Sequence, residues 1–164
     1  MPENNNRLLG IDVGTAITGW AVMEKDTASR NGIKLIDYGV IRTAAGEEMP
    51  RRLADIYDGM LEIIDKFSPG MMAIESLFYF KNQTTVMTVS QARGVMLLAA
   101  QQRSLRIFEY TPLQVKSAVT GYGRAEKKQV QMMVKSILGL KEIPKPDDAA
   151  DAVAIGICHL NSVR

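Results

Sequence analysis

Three β-rich runs open the chain, and the connections between them are too short to let neighbouring strands run parallel. Arg7–Asp12 (RLLGID) is followed, after Val13–Ala16, by Ile17–Met23 (ITGWAVM), and then by Ile33–Ile41 (IKLIDYGVI). A parallel neighbour needs a crossover of a dozen or more residues, whereas antiparallel strands can be joined by a tight turn such as the one Gly14 punctuates. The sequence therefore predicts an antiparallel three-stranded meander.

Past a loop at Ala44–Pro50 the hydrophobic period lengthens. Leu53, Ile56, Tyr57, Met60, Ile63, Ile64 and Phe67 fall at helical spacing, and Ser68-Pro69-Gly70 ends the run. Met71–Glu75 (MMAIE) is a short apolar strand closed by a charge. A helical segment follows from about Thr84 to Arg103, then a fifth strand at Arg106–Tyr110. The remainder is helical: a break at Gly121-Tyr122-Gly123, a Lys-rich helix over about Ala125–Leu138, a loop with Pro144 and Pro146, and a last helix over about Asp147–Leu160. Strand–helix–strand units at the fourth and fifth strands require parallel pairing. The expected architecture is α/β: a mixed five-stranded sheet, three antiparallel strands then two parallel, flanked by α-helices. With no internal repeat and no linker, residues 1–164 are expected to form one domain, with residues 1–6 disordered.

Composition narrows the class. At 164 residues, 46% hydrophobic and 23% charged, the chain reads as a soluble globular protein. Residues 1–7 lack an apolar core like that of a signal segment, and no apolar run approaches the roughly 20 residues of a membrane span, so a cytoplasmic location is expected. Cys158 and His159 are the only residues of their types, which excludes a disulfide and a typical zinc site. The net charge of +2 conceals an uneven distribution: from Arg103 to Lys135 seven basic residues face only Glu109 and Glu126. That stretch permits phosphate binding without establishing it.

The chemistry-bearing pattern is acidic. Asp12 ends the first strand and Glu75 the fourth. If those strands are parallel neighbours, both carboxylates leave the same sheet edge, where open α/β sheets place ligands. Asp148 and Asp151, three apart at the start of the last helix, share one helix face. Clustered carboxylates repel unless a hard cation neutralises them, and an oxygen-only set suits Mg²⁺ or Mn²⁺. Two such ions could activate a water and stabilise the leaving oxygen of a phosphodiester. Each acid also has a plainer role open to it: a turn residue at Asp12, an edge charge at Glu75, helix-dipole partners at Asp148 and Asp151. Asp147, placed as an N-cap after Pro146, stays outside the set. His159 shares a face with Asp148, but eleven residues at ~1.5 Å rise put it roughly 16 Å away, so it is read as structural or exposed. Cys158 is read as core packing.

Further motifs carry a resemblance. Gly10-Ile11-Asp12-Val13-Gly14 with Thr18-Gly19-Trp20, Ala73-Ile74-Glu75, Gln91-Ala92-Arg93-Gly94, Gln114-Val115-Lys116, Gly121-Tyr122-Gly123, Ala125-Glu126-Lys127 and Asp148-Ala149-Ala150-Asp151-Ala152 occur in register from about Leu8 to His159. In these the chain resembles the RuvC family of Holliday-junction resolvases, which have the ribonuclease H-like fold. The resemblance implies a structure-selective endonuclease that resolves four-way DNA junctions by paired symmetric nicks in recombination and repair. It implies metal ligands at Asp12, Glu75, Asp148 and Asp151, with two Mg²⁺ per site and Mn²⁺ as a substitute. Lys116 and Lys127 match lysines placed near the scissile phosphate. Phe78 matches an aromatic that stacks on bases at the crossover, and Tyr79, Lys81, Asn82, Arg93, Arg124 and Lys128 are expected to contact DNA. The family commonly has Pro where this chain has Val13, and Asp147 adds one acid beside the tetrad; neither removes a ligand.

A four-way junction has approximate two-fold symmetry, so paired nicks imply a homodimer. Val86, Val89, Val95, Met96 and Ala99–Ala100, with Gly94, offer an apolar helix for a C₂ interface, or for the core of one subunit. The resemblance adds the RuvA-RuvB branch-migration complex as a partner. Three other readings stand beside this one: a sugar kinase, from the likeness of Gly10–Thr15 to an actin-fold phosphate hairpin; a DNA-binding module without chemistry; and a related nuclease acting on RNA or another branched DNA.

Overall fold

A computed structural model describes residues 5–76 and 83–163. The elements in chain order are β1 (Arg7–Asp12), β2 (Ile17–Lys25), β3 (Ile33–Arg42), α1 (Met49–Phe67), β4 (Met71–Glu75), α2 (Gln83–Gln102), β5 (Arg106–Tyr110), α3 (Pro112–Thr120), α4 (Lys127–Leu138) and α5 (Asp147–Ser162). The sheet order is β3-β2-β1-β4-β5. β1 pairs antiparallel with β2, and β2 with β3. β4 joins β1 in parallel and β5 joins β4 in parallel. This is the mixed five-stranded sheet expected of the ribonuclease H-like fold.

Strand alternation divides the core into two layers. Leu9 and Ile11 of β1, Val22 of β2, and Met72 and Ile74 of β4 face α1 and α2. Their neighbours Leu8, Ala21, Met23, Met71 and Ala73 face α3, α4 and α5. Because side chains alternate with period two, Gly10 and Asp12 of β1, Gly19 of β2 and Glu75 of β4 fall on the α5 face. Arg7, at the start of β1, donates from Nη1 to the Phe67 carbonyl at 2.6 Å and so ties the end of α1 to the sheet. Of the N-terminal residues expected to be disordered, Asn5 is held: its amide donates to the Ser68 carbonyl and its oxygen accepts from the Arg7 N–H.

Helix boundaries follow local chemistry. α3 starts at a reciprocal capping box, in which the Gln114 N–H donates to Thr111 Oγ1 at 3.1 Å and the Thr111 N–H donates to Gln114 Oε1 at 2.8 Å. It ends at Gly121, whose φ of 77° suits the left-handed C-terminal position. α4 begins at Lys127, two residues later than its periodicity alone indicates, because the extended Glu126 caps it and donates its own N–H to Gln129 Oε1 at 2.9 Å. In α5 the extended residue before the helix is Pro146, so Asp147 is the first helical residue and not the N-cap expected of it.

α5 is buried on nearly all sides, from Ala149 to Leu160 with Asp151 partly exposed. A helix apolar all round belongs in a core, and this one lies mainly across β2 and β1 and meets β4 and β5 less. Glycines on both partners allow it to settle there. A Cβ on Gly19 would overlap the Asp148 carbonyl, one on Gly10 would stand 2.5 Å from the Ala152 carbonyl oxygen, and one on Gly156 would stand 2.5 Å from Met23 Sδ. No described helix is long and apolar enough to cross a membrane. Gly19→Ala is expected to lower unfolding free energy by about 1–3 kcal/mol, the range for overpacking a filled interior. Urea denaturation measures this, and Gly46→Ala, whose Cβ would meet nothing within 4 Å, is the control.

Candidate active site

Parallel pairing of β1 with β4, with Ile11 opposite Ile74, carries Asp12 and Glu75 out of the sheet side by side. Asp12 also lies opposite Gly19 on β2. The absent side chain there is what lets the first turn of α5 descend over the strand end. Asp148 and Asp151 therefore approach from above the two carboxylates that leave the sheet. A pocket opens beside them, lined by Glu75, Lys116, Lys127 and Asp151 over an apolar floor that includes Val115, Val130 and Ile155.

The electrostatics show that the acids feel one another's charge. Asp12 is pushed up to about 8, first by burial and then by the carboxylates of Asp151, Glu75 and Asp148, with Lys127 opposing. Burial, and then Asp151, raises Glu75, while Lys116 acts in the other direction. Asp151 is raised by burial, which outweighs the charge and hydrogen bond of Lys127. Lys127 loses some hydration, yet Asp151 and Asp147 hold it above its ordinary value. Its Nζ lies 3.4 Å from Asp151 Oδ2 and 3.5 Å from Asp147 Oδ2. The local lysines thus do not neutralise the group: the three acids remain harder to ionise than in water, and further positive charge would relieve them.

The donor set fits a hard divalent cation, being carboxylate oxygen throughout. Among the described residues no three acidic, His or Cys side chains already close around one point. An ion at these carboxylates would compete with Lys127 for Asp151. Asp147 stands apart, accepting from Gln131 Nε2 at 3.0 Å and facing Lys127, so it tethers α5 to α4.

The remaining candidates separate. Lys116 is partly buried against the pocket, while Arg124 and Lys128 are exposed near Lys127 at the start of α4. Arg93, expected to grip phosphate, is paired with Glu109, with Nη2 at 2.6 Å from Oε1 and its side chain 14% exposed. Phe78, Tyr79, Lys81 and Asn82 lie outside the described residues. His159, expected to be structural or exposed, is fully buried, and its Nδ1 lies 2.8 Å from the Tyr110 hydroxyl. Cys158 is buried as expected. Sequence reasoning treated Gly10 and Gly19 only as motif letters. The signal available was a glycine at alternate positions of two strands, on the side that carries Asp12.

Residues 8–159 match the family model described as "Crossover junction endodeoxyribonuclease RuvC". The chain belongs to the RuvC family. A RuvC of that description from Halothermothrix orenii is 56% identical over 157 residues, covering 96% of this chain and 93% of the relative. One from Fusobacterium nucleatum is 54% identical over 157 residues, covering 96% and 81%. Among solved structures, Thermus thermophilus RuvC in complex with a Holliday junction substrate superposes with a TM-score of 0.88 at 34% identity, covering 96% of this chain and 94% of that one. In this family context the Gly10–Thr15 string, which resembles a kinase hairpin, is the end of β1 together with the start of the turn that follows Asp12.

The raised acids set a testable pH dependence. A carboxyl with a higher pKa folded than unfolded binds more protons in the native state between the two values, so stability falls as pH rises through that window. For Asp12 the window runs from the ordinary value near 3.8 to about 8. Metal-free protein is expected to melt higher at pH 5.5 than at pH 8. Asp12→Asn should stabilise it at pH 8 by on the order of 1–3 kcal/mol, the full shift being reduced by relaxation and water in the open pocket. Mg²⁺ should reverse that ranking. Calorimetric melting of both proteins, with and without Mg²⁺, checks all three statements.

Proposed function

We propose that this protein is a structure-selective endonuclease, acting as one nuclease domain, that resolves four-way DNA junctions by paired symmetric nicks in recombination and repair. The observation that carries the reading is the convergence of Asp12, Glu75, Asp148 and Asp151 at one sheet edge, within a chain that belongs to the RuvC family. These four residues would hold two Mg²⁺ ions, with Mn²⁺ as a substitute. When bound, the ions supply charge neutralisation and activation of the attacking water. Clustered bare carboxylates would repel a DNA backbone, which disfavours a module that only binds.

The chain's own residues define the rest. Lys127, once released from Asp151 and Asp147, would face a phosphate beside the acids, and Lys116, which lines the same pocket, would offer a second positive charge. Preorganised cations of this kind stabilise charge that develops in phosphoryl transfer. Arg124 and Lys128 extend the positive surface from α4 and would hold phosphates without reading sequence. Phe78 and its neighbours Tyr79, Lys81 and Asn82 are proposed to meet the junction, stacking on an unpaired base contributing about 1–3 kcal/mol.

Paired nicks require two sites related by a dyad, and α2 offers the surface. Met96, Ala99 and Ala100 are spent on the core, and Val89 is buried. Met87 is 69% exposed and Leu98 51% exposed, on a face shared with an open Gly94. Positions 87, 91, 94 and 98 follow the helix–helix seam spacing, so this outer face, rather than the buried one, is the proposed homodimer contact. Leu98→Glu is expected to convert a dimer into a monomer in sedimentation at micromolar concentration; a native protein that sediments as a monomer would sink the dimer. The RuvA-RuvB complex remains a proposed partner through family membership.

The deciding assay compares an end-labelled four-way junction of varied central sequence with linear duplex, in Mg²⁺, Mn²⁺ or EDTA. The native protein is expected to nick opposed junction strands symmetrically and spare the duplex, with cleavage abolished by EDTA or Asp12→Asn while binding persists. Lys127→Gln is expected to lower the single-turnover rate by about 10²–10³-fold, the scale for losing one electrostatic stabiliser. Junction binding with no cutting in either metal would leave the binding module as the function.

A further inference from the structure

α5 supplies two of the four acids, but its support is uneven. On the β1–β2 side it rests on backbone, through Gly10 and Gly19. On the β4–β5 side, where Glu75 stands, contact is sparser and includes a polar pair that the proposed chemistry does not use. Tyr110, the last residue of β5, lies directly opposite Glu75 in the parallel register, with its side chain on the α5 face. Its carbonyl accepts the Ser76 N–H at 2.8 Å, which holds the chain immediately after Glu75. Its hydroxyl meets His159 Nδ1 at 2.8 Å, two turns of α5 beyond Asp151.

His159 is an unusual choice for that position. It is fully buried, its ring packs on Phe108 at 4.3 Å between centroids, and its Nε2 has no hydrogen-bond partner among the described residues. Burial, together with the charges of Arg106 and Lys25, lowers its pKa and keeps the imidazole neutral. A neutral ring makes the hydrogen bond to Tyr110 in either tautomer, because each of its nitrogens is a donor or an acceptor and the hydroxyl can be either. A phenylalanine would fill this space without the desolvation penalty of a buried imidazole. The polar pair therefore supplies something packing alone does not, namely a directional link of defined length between β5 and α5.

We propose that Tyr110 and His159 form a positioning pair that fixes α5 against the Glu75 end of the sheet, and so sets the separation of Glu75 from Asp151 for capture of a divalent cation. Neither residue touches the ion; both act through the placement of the ligands. The inference rests on the proposed metal site. Partners that orient metal ligands without binding the metal commonly change affinity by about 10–100-fold when removed.

The test is direct binding of Mn²⁺ to DNA-free protein, followed by the loss of the free-ion electron paramagnetic resonance signal, with urea unfolding measured in parallel. Tyr110→Phe removes one oxygen and keeps the ring, and it is expected to weaken Mn²⁺ binding about ten-fold in protein that remains folded. His159→Phe should do the same, while His159→Asn, whose amide can present a polar atom near the Nδ1 position, should recover most of the affinity. A Tyr110→Phe protein that is less stable in urea yet binds Mn²⁺ as tightly as the native one would reduce the pair to a structural role and overturn the proposal. So would equal weakening by His159→Phe and His159→Asn. Native protein that fails to bind Mn²⁺, or binds it as well with Asp12→Asn, would overturn the metal site itself and this inference with it.

Discussion

Close contact between α5 and the β1–β2 ladder governs the rest of this structure. A helix packed on a sheet normally stands off by the length of the intervening side chains. Here Gly10 and Gly19 remove them, and the Asp148 and Ala152 carbonyls come down onto strand backbone. Two consequences follow from one contact. The helix is buried on nearly every side from Ala149 to Leu160, and there its sequence is apolar apart from Asp151 and His159. Its first turn also lies beside the end of β1, where Asp12 leaves the sheet. The acids at its start therefore sit at a site that the strands complete. Energy that favours packing is thus coupled to the close approach of carboxylates, which on its own is unfavourable.

That cost is visible in the acids themselves. Asp12 is held up to about 8 by burial and by three neighbouring carboxylates. Lys127 and Lys116, both lining the pocket, offset part of the repulsion, and Lys127 pairs with Asp151 where extra positive charge is most wanted. The fold maintains this grouping because α5 is anchored elsewhere, on glycine backbone at one side and through Tyr110 and His159 at the other. In a site of this kind an added cation would relieve the carboxylate repulsion.

Much of this was open to a sequence reading because it is encoded within a few residues. The short connections after Asp12 and before Ile33 dictated an antiparallel start, and the change from period two to helical spacing after Pro50 located α1. Asp12 and Glu75 at strand ends, and Asp148 and Asp151 on one helix face, identified the acidic group. What the sequence could not supply was the packing around each side chain. Arg93 is read as a phosphate ligand, and only the fold shows its ion pair with Glu109 on β5. His159 is read as structural or exposed, and the fold places it 2.8 Å from the Tyr110 hydroxyl. Asp147 looks like a cap until extended backbone is found at Pro146.

The division has a physical basis. Periodicity, turn chemistry and the positions of charge along the chain are local, so the sequence by itself determined the order of strands and helices, the composition of the site and, through its spaced motifs, the family. Distances between groups far apart in the chain depend on how closely two surfaces pack, and that is settled by the volume of side chains on both. Only the tertiary structure decided that α5 would rest on glycine rather than on side chains. From that contact came the convergence of Asp12 with Asp148 and Asp151, the pairing of Lys127 with Asp151, and the burial of His159 against β5.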